Sequence, residues 1–380
     1  MAIEIFEADS LGQYYETVCK IQQQIASNEK QEQIKCEYEG EGKIELLWFR
    51  AESRTAYSLL PSLFRNNVSN GGIRISDIGQ YTSLHYNEDI RTQHYHAKNY
   101  HYFEQEPSSR IEWLEVMQHH GVKTRLLDWS ESSTHSLLFA LEPYYRTGID
   151  LHYCRYDLSP CVWVLNPRAM NRELLIELGS QKALQRKLLE ELSLNSDEME
   201  RLLDRIETII NSFQERDRLG RTETYHIEYI YNLSEICDEI LRDRSRIKNM
   251  LLQGEPFNPV FYLLARIYSD GYLLENLALP PLAVVQPYHS ERIKAQKGVF
   301  TVFPFGKIPN SKIDMNALAD LGINLSAMSY NQIVRKHLFK IILTKPQKIA
   351  CELLKNGISD SWLYPEMPIV SNEIEARKVY

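Results

Sequence analysis

Between residues 10 and 29, Leu11, Tyr14, Tyr15, Val18, Ile21 and Ile25 recur at steps of three and four. That stripe predicts an amphipathic helix with Ser10 as its N-cap. The run 44–50 (IELLWFR) is almost wholly apolar and ends in an arginine, so at this length it predicts a buried strand. LLPSLFRN at 59–66 predicts a proline-started turn of helix. Residues 68–102, rich in Asn, Gly, Ser, His and Tyr, read as irregular or only partly ordered, with a helix resuming over 110–119. Gly121 marks the stop of that helix, and RLLDW after it is a short buried strand or extended segment. Ser130 and Ser132 are candidate caps for a second helix, whose Leu137, Leu138, Phe139 and Leu141 belong to the core. VWVLNP (162–167) alternates as the next strand.

The pattern changes near residue 170. From 172 to 219, Leu174, Leu175, Leu178, Leu184, Leu188, Leu189 and Leu192 open a charge-laced helical repeat, and a second helical region follows near 228–270. Strand-like runs then return as PPLAVVQP (280–287), GVFTVFP (298–304) and FKIILT (339–344), before a final helix over 345–356. These signals flank the helical block on both sides. The expected fold is α+β, a mixed sheet core with flanking helices and a large helical insertion. Its expected parts are an N-terminal helical segment (1–40), a first part of the sheet domain (41–168), the insertion (169–279) and a second part (280–380).

Composition narrows the function classes. With 43 basic and 51 acidic residues the formal charge is −8, which leaves no global basic field for general nucleic-acid binding. Any anion site must then be a local cluster. Six cysteines stand without a CxxC pair, which fits neither a zinc nor a disulfide framework. The histidine-rich stretch HYNEDIRTQHYH also lacks a usual zinc spacing, so no metal is expected. Nowhere do about eighteen apolar residues follow one another, and the acidic N-terminus has no export signal. A cytoplasmic protein away from membranes is the expectation.

Polar groups at the ends of apolar strands are where open sheets place ligand contacts. Three such junctions stand out. Arg50 and Glu52 follow the 44–50 run; there the alternative to anion binding is pairing with a neighbouring carboxylate. In HHGVKTRLLDW, Arg125 and Asp128 lie three apart, so an extended chain points them to opposite faces and each needs its own partner. Helix capping by Asp128 and loop anchoring by Arg125 are the structural alternatives. In HSERIKAQKGVF, Arg292 and Gln296 would share one face of a short helix, and Gly298 releases the chain into a strand. Arg50, Arg125 and Arg292 with His119 and Gln296 would suit a diphosphate or another planar anion. Glu52, Glu104 or Asp128 is the candidate general base. No P-loop, GxGxxG, HExxH or GxSxG motif is present.

LLWFRAES with LLPSLFR, then MQHHGVKTRLLDWSESSTHSLLFAL, then RIKAQKGVFTVFP with GISDSWLYPEM, together resemble the FRG-domain family, named for a Phe-Arg-Gly motif. The resemblance spans roughly 44–145 and 285–370. It rests most on the central run, which brings Gln118, His119, Gly121, Thr124, Arg125, Asp128 and Trp129 onto the family pattern. The chain departs from that pattern at Ala51, where the name-giving glycine would stand, and at His120, where an aromatic ring is usual. The strand ending in Arg50 is also similar to the first motif of ADP-ribosyltransferases, in which such an arginine holds the phosphates of NAD. A matching Ser-Thr-Ser strand is missing, and only Gln296 or Glu291 could take the place of the terminal glutamate.

The resemblance implies a prokaryotic or phage-related effector, by association in defence or toxin systems, acting on a nucleotide-type ligand such as NAD by transfer or hydrolysis. In that expectation Arg50, Thr124, Arg125 and Arg292 bind the ligand, while His119, Asp128, Glu104 and Gln296 serve the reaction. The alternative expectation is a non-catalytic sensor of a small anionic ligand or nucleotide, whose helical insertion docks a protein partner or a second copy. A third is a buried polar network that only holds the fold.

Overall fold

A computed structural model describes residues 3–33, 46–65, 68–69, 72–73, 78–99, 101, 107, 110–146, 159–180, 281–285, 291–303, 328–359 and 362–364. Most of the expected helical insertion, and Glu104, lie outside the described residues.

The strands form one mixed seven-stranded sheet: β1 (Glu4–Ala8), β2 (Trp48–Glu52), β5 (Leu126–Ser130), β6 (Cys161–Leu165), β7 (Leu282–Val284), β8 (Gly298–Val302) and β9 (Leu338–Leu343), in the order β1-β9-β6-β2-β5-β8-β7. Only β1 and β9 run parallel; the other neighbours are antiparallel. A hairpin of β3 (Val68–Ser69) and β4 (Gly72–Ile73) stands apart. The helices among the described residues are α1 (Leu11–Gln33), α2 (Ile78–Asn99), α3 (Arg110–His119), α4 (Ser133–Arg146), α5 (Pro167–Ser180), α6 (Glu291–Ala295) and α7 (Pro346–Lys355). The α+β architecture with flanking helices is the one expected from the pattern.

Period-two alternation divides the central strands between two faces. Phe49, Val162, Val164, Phe339, Ile341 and Leu343 pack into a core with Tyr14, Val18 and Ile21 of α1, Leu137, Leu138 and Leu141 of α4, and Ile349 and Leu353 of α7. Full burial of each such side chain contributes about 1.5–3 kcal/mol. Ala51 also packs against this core, so its methyl lies among apolar groups. A smaller cluster joins Ile111 and Leu114 of α3 to Leu126, Val284, Phe300 and Val302.

Caps explain two helix starts. Ser10 Oγ accepts from Gln13 N at 3.3 Å, and Ser132 Oγ accepts from His135 N at 3.3 Å. Ser130 does something else: its hydroxyl accepts from Ser132 N and donates to Gln296 O at 2.7 Å, tying β5 to the turn before β8. At the far edge, Asn171 donates to and accepts from the backbone of Ala283, as a neighbouring strand would.

Three expectations are corrected. A strand, Glu4–Ala8, precedes the first helix. Within the described part of the apolar run at 44–50, the strand begins at Trp48, and it continues to Glu52. Residues 78–99, expected to be irregular, form the helix α2. Its apolar positions are too few to reveal a 3.6-residue period; its described side chains meet Trp113 of α3 through the rings of Tyr95 and His96, and Arg125 through Glu88.

Candidate functional site

Strand β5 reads Leu-Leu-Asp-Trp-Ser, and four of the five residues are buried. Asp128 is the exception, with its side chain 58% exposed although β5 lies between β2 and β8 in the sheet. An ionised side chain cannot be buried unpaired at acceptable cost, so here the strand opens its carboxylate to solvent.

That carboxylate is held from two sides. Arg50 Nη1 donates to the Asp128 main-chain oxygen at 2.7 Å and lies 3.5 Å from Oδ2. Gln118 Nε2, in the last turn of α3, donates to Oδ1. The Gln118 amide is itself oriented, because its carbonyl accepts the Thr124 hydroxyl proton. Thr124 Oγ1 in turn accepts from Leu126 N at 3.3 Å, and Ser62 Oγ accepts from Thr124 N at 3.2 Å. A hydroxyl has one proton, so once Thr124 spends it on the amide oxygen the amide NH2 must face Asp128.

Arg50, only 11% exposed, also donates through Nε to Glu52 Oε1 at 3.0 Å. One guanidinium therefore serves two carboxylates, and the three groups together carry one negative charge. This is not the positive pocket that three arginines would make.

The remaining expected residues separate. Arg125 is buried and donates to Glu88 of α2 from its backbone N at 3.0 Å and from Nε at 2.5 Å, with Nη2 pairing to the same carboxylate. It is an internal strut rather than a ligand arm. The Arg292 guanidinium stacks 4.4 Å from the Tyr364 ring, and Gln296 Nε2 donates to Leu363 O at 2.9 Å. Leu363 and Tyr364 belong to the helical core layer, while alternation points Arg50 away from it. Arg292 and Gln296 thus do not join Arg50. His119 follows Gln118 on α3, with its ring edge-on to His120 at 5.0 Å.

Titration behaviour excludes one nucleophile near the site. Burial pushes the Cys161 thiol up to about 12, with Lys340 and Arg50 opposing and Glu52 adding to the rise. It stays protonated and inert at neutral pH. At the other end of β5, burial raises the Glu131 carboxyl against the opposing charge of Lys297. Burial likewise lowers the His135 imidazole, opposed by a hydrogen bond to the Gln296 backbone.

The sequence reasoning had not given Gln118 a place in the site, and Glu88 was hidden in the segment read as irregular. Gln118 stands beside His119 in the central run, so its polar spacing to Thr124 and Asp128 was there to be read. Nothing in the sequence pointed to Glu88.

Residues 45–147 match the family model described as the FRG domain. No curated protein and no solved structure matches the chain. Among the described residues no helix is long and apolar enough to cross a membrane.

Proposed function

We propose, from the premise that this is an FRG-domain-containing protein, that it acts on a nucleotide-type ligand, concretely NAD, by hydrolysis or transfer at the ribose C1 position. The observation that carries this reading is the exposed, doubly held carboxylate of Asp128 in an otherwise buried strand. A carboxylate fixed in advance stabilises positive charge as it develops, without waiting for groups to reorganise. The ribose C1 gains such charge as its bond to the nicotinamide nitrogen breaks and nicotinamide leaves as a neutral base. Water or an acceptor hydroxyl then bonds to C1, and its proton passes to the Asp128 carboxylate.

The local charge supports the same assignment. Arg50, Glu52 and Asp128 sum to −1, which is complementary to a cationic nicotinamide riboside rather than to a bare anion. Arg50 in this scheme orients Asp128 and Glu52, with Gln118 and Thr124 as positioning residues. Sensing of a simple anion by Arg50 is disfavoured, since its fork is already shared between two carboxylates.

The test is to incubate the full chain with NAD, alone and with protein or nucleic-acid acceptors, and to follow nicotinamide release by chromatography. Release that depends on the protein is the expected result. No release under any of these conditions, together with no heat of NAD binding in calorimetry, would remove the reading.

A further inference from the structure

Two strands away from Arg50, the same face of the sheet carries a buried cation with no carboxylate partner among the described residues. Register sets Arg50 opposite Trp163 and Trp163 opposite Lys340, so the three side chains form a row on adjacent strands. Strand spacing puts Arg50 and Lys340 about 10 Å apart across that row. Lys340 is 9% exposed; its ammonium donates to Thr55 O at 2.7 Å and lies 4.5 Å from the centre of the Trp163 ring. One carbonyl and one π-face are a thin solvation for a buried ammonium with three donors. Trp163 is 4% exposed and its indole Nε1 has no hydrogen-bond partner. A thinly solvated ammonium and an unspent indole N–H thus lie side by side in the interior, which is uncommon in folded proteins.

The turn at 53–57 follows directly on β2 and is tied down by the Lys340 bond to Thr55 O and by Thr55 N donating to Ser159 O at 2.9 Å. Its outer surface carries exposed Arg54, whose guanidinium sits 5.8 Å from the ring of Tyr57, also exposed.

We propose that Lys340 and the indole N–H of Trp163 form a phosphate subsite beneath the 53–57 turn. It takes the diphosphate of the ligand whose ribose Asp128 faces, and so rests on the reading above. On entry a phosphate oxygen replaces the Thr55 carbonyl at the ammonium and a second oxygen accepts from Trp163, exchanging a neutral acceptor for charged ones. Arg54 meets the same group from the solvent side as the turn lifts. The subsite supplies the cationic contact that Arg50, shared between Glu52 and Asp128, does not.

The probe is inorganic pyrophosphate, titrated calorimetrically into the full chain, with ADP-ribose as a second arm to separate the free anion from the nucleotide-borne one. Wild type binds pyrophosphate, Lys340→Met weakens it at least about tenfold, and Trp163→Phe, which keeps the ring and loses the donor, weakens it about threefold or more. Absence of pyrophosphate binding to wild type at millimolar concentration overturns the subsite, as does an unchanged affinity in both variants. If Lys340→Met does not fold, Trp163→Phe alone decides. Pyrophosphate binding that is lost in these variants from a protein that releases no nicotinamide leaves the subsite standing and removes only the chemistry at C1.

Discussion

At the scale of single residues, the run Thr124-Arg125-Leu126-Leu127-Asp128 divides its labour by alternation. Asp128 faces solvent with Arg50 and Gln118, while Arg125 enters the interior to meet Glu88. The two charges that look like a pair in sequence therefore never serve one another. Breaking the buried pair on one side leaves an uncompensated charge, so Arg125→Met should cost about 3–5 kcal/mol of stability in urea denaturation. The double variant with Glu88→Leu should recover most of that loss. A single variant as stable as wild type would contradict the strut. Thr124→Val keeps the shape but removes the hydroxyl that orients Gln118. It should lower nicotinamide release about tenfold, with the conservative Thr124→Ser restoring it; equal loss in both variants would count against the relay.

At the scale of elements, the turn between α6 and β8 shows how a sequence signal can be displaced by one position. Gly298 looked like the residue that frees the chain into the strand, yet the left-handed backbone belongs to Lys297, with φ of 49°. Gly298 is needed for space: a Cβ there would lie 2.8 Å from Ile293 Cγ2. Lys297→Gly should therefore hold or raise stability by up to about 1 kcal/mol, whereas Gly298→Ala should lower it by about 1–3 kcal/mol, both measured by thermal unfolding. Strands β2 and β5 to β9, with α1, α3, α4 and α7, were legible because apolar runs and periodic stripes come from the core they pack into. Helix α2 was not, since Glu88 and the rings of Tyr95 and His96 hold it, and neither a buried ion pair nor a ring contact leaves a periodic trace. Strand β1 was missed for a related reason: its residues are mostly exposed at the sheet edge.

His135, near the start of α4, gives the elements a pH signature. Burial holds its imidazole below 6.5, so over the interval between the folded and unfolded values the unfolded chain takes up a proton that the folded chain refuses. The stabilisation is complete above about pH 6.5, begins to be lost below that value and is fully lost once pH falls through the lower folded value. His135→Gln should flatten the dependence of the melting temperature between pH 7 and 5. A slope as steep as that of wild type would assign the effect to other groups.

At the scale of the whole molecule, the sheet is assembled from distant parts of the chain. The family match ends at 147, but β6, β8 and β9 lie beyond it and flank the matched strands β2 and β5. Residue types from the matched segment supply Arg50, Gln118, Thr124 and Asp128, while Lys340 and Trp163 come from outside it. The inference that three arginines would create a positive pocket does not survive. Arg50 sits between two carboxylates, Arg125 is internal and Arg292 lies on a tyrosine ring. Long-range pairing decides where a charge goes, and short sequence windows do not contain it.

The most direct test of the account is Asp128→Asn, which keeps the size of the side chain, removes its charge and turns one acceptor oxygen into a donor. Nicotinamide release from NAD and the melting temperature are measured on the same preparation. Because Asp128 is exposed, the account predicts a melting temperature within a degree or two of wild type, in keeping with the small effects of exposed sites. Release should fall at least about a hundredfold, the scale on which one preorganised electrostatic contact acts. Undiminished release by Asp128→Asn, or a loss that merely follows a collapse in melting temperature, would contradict it.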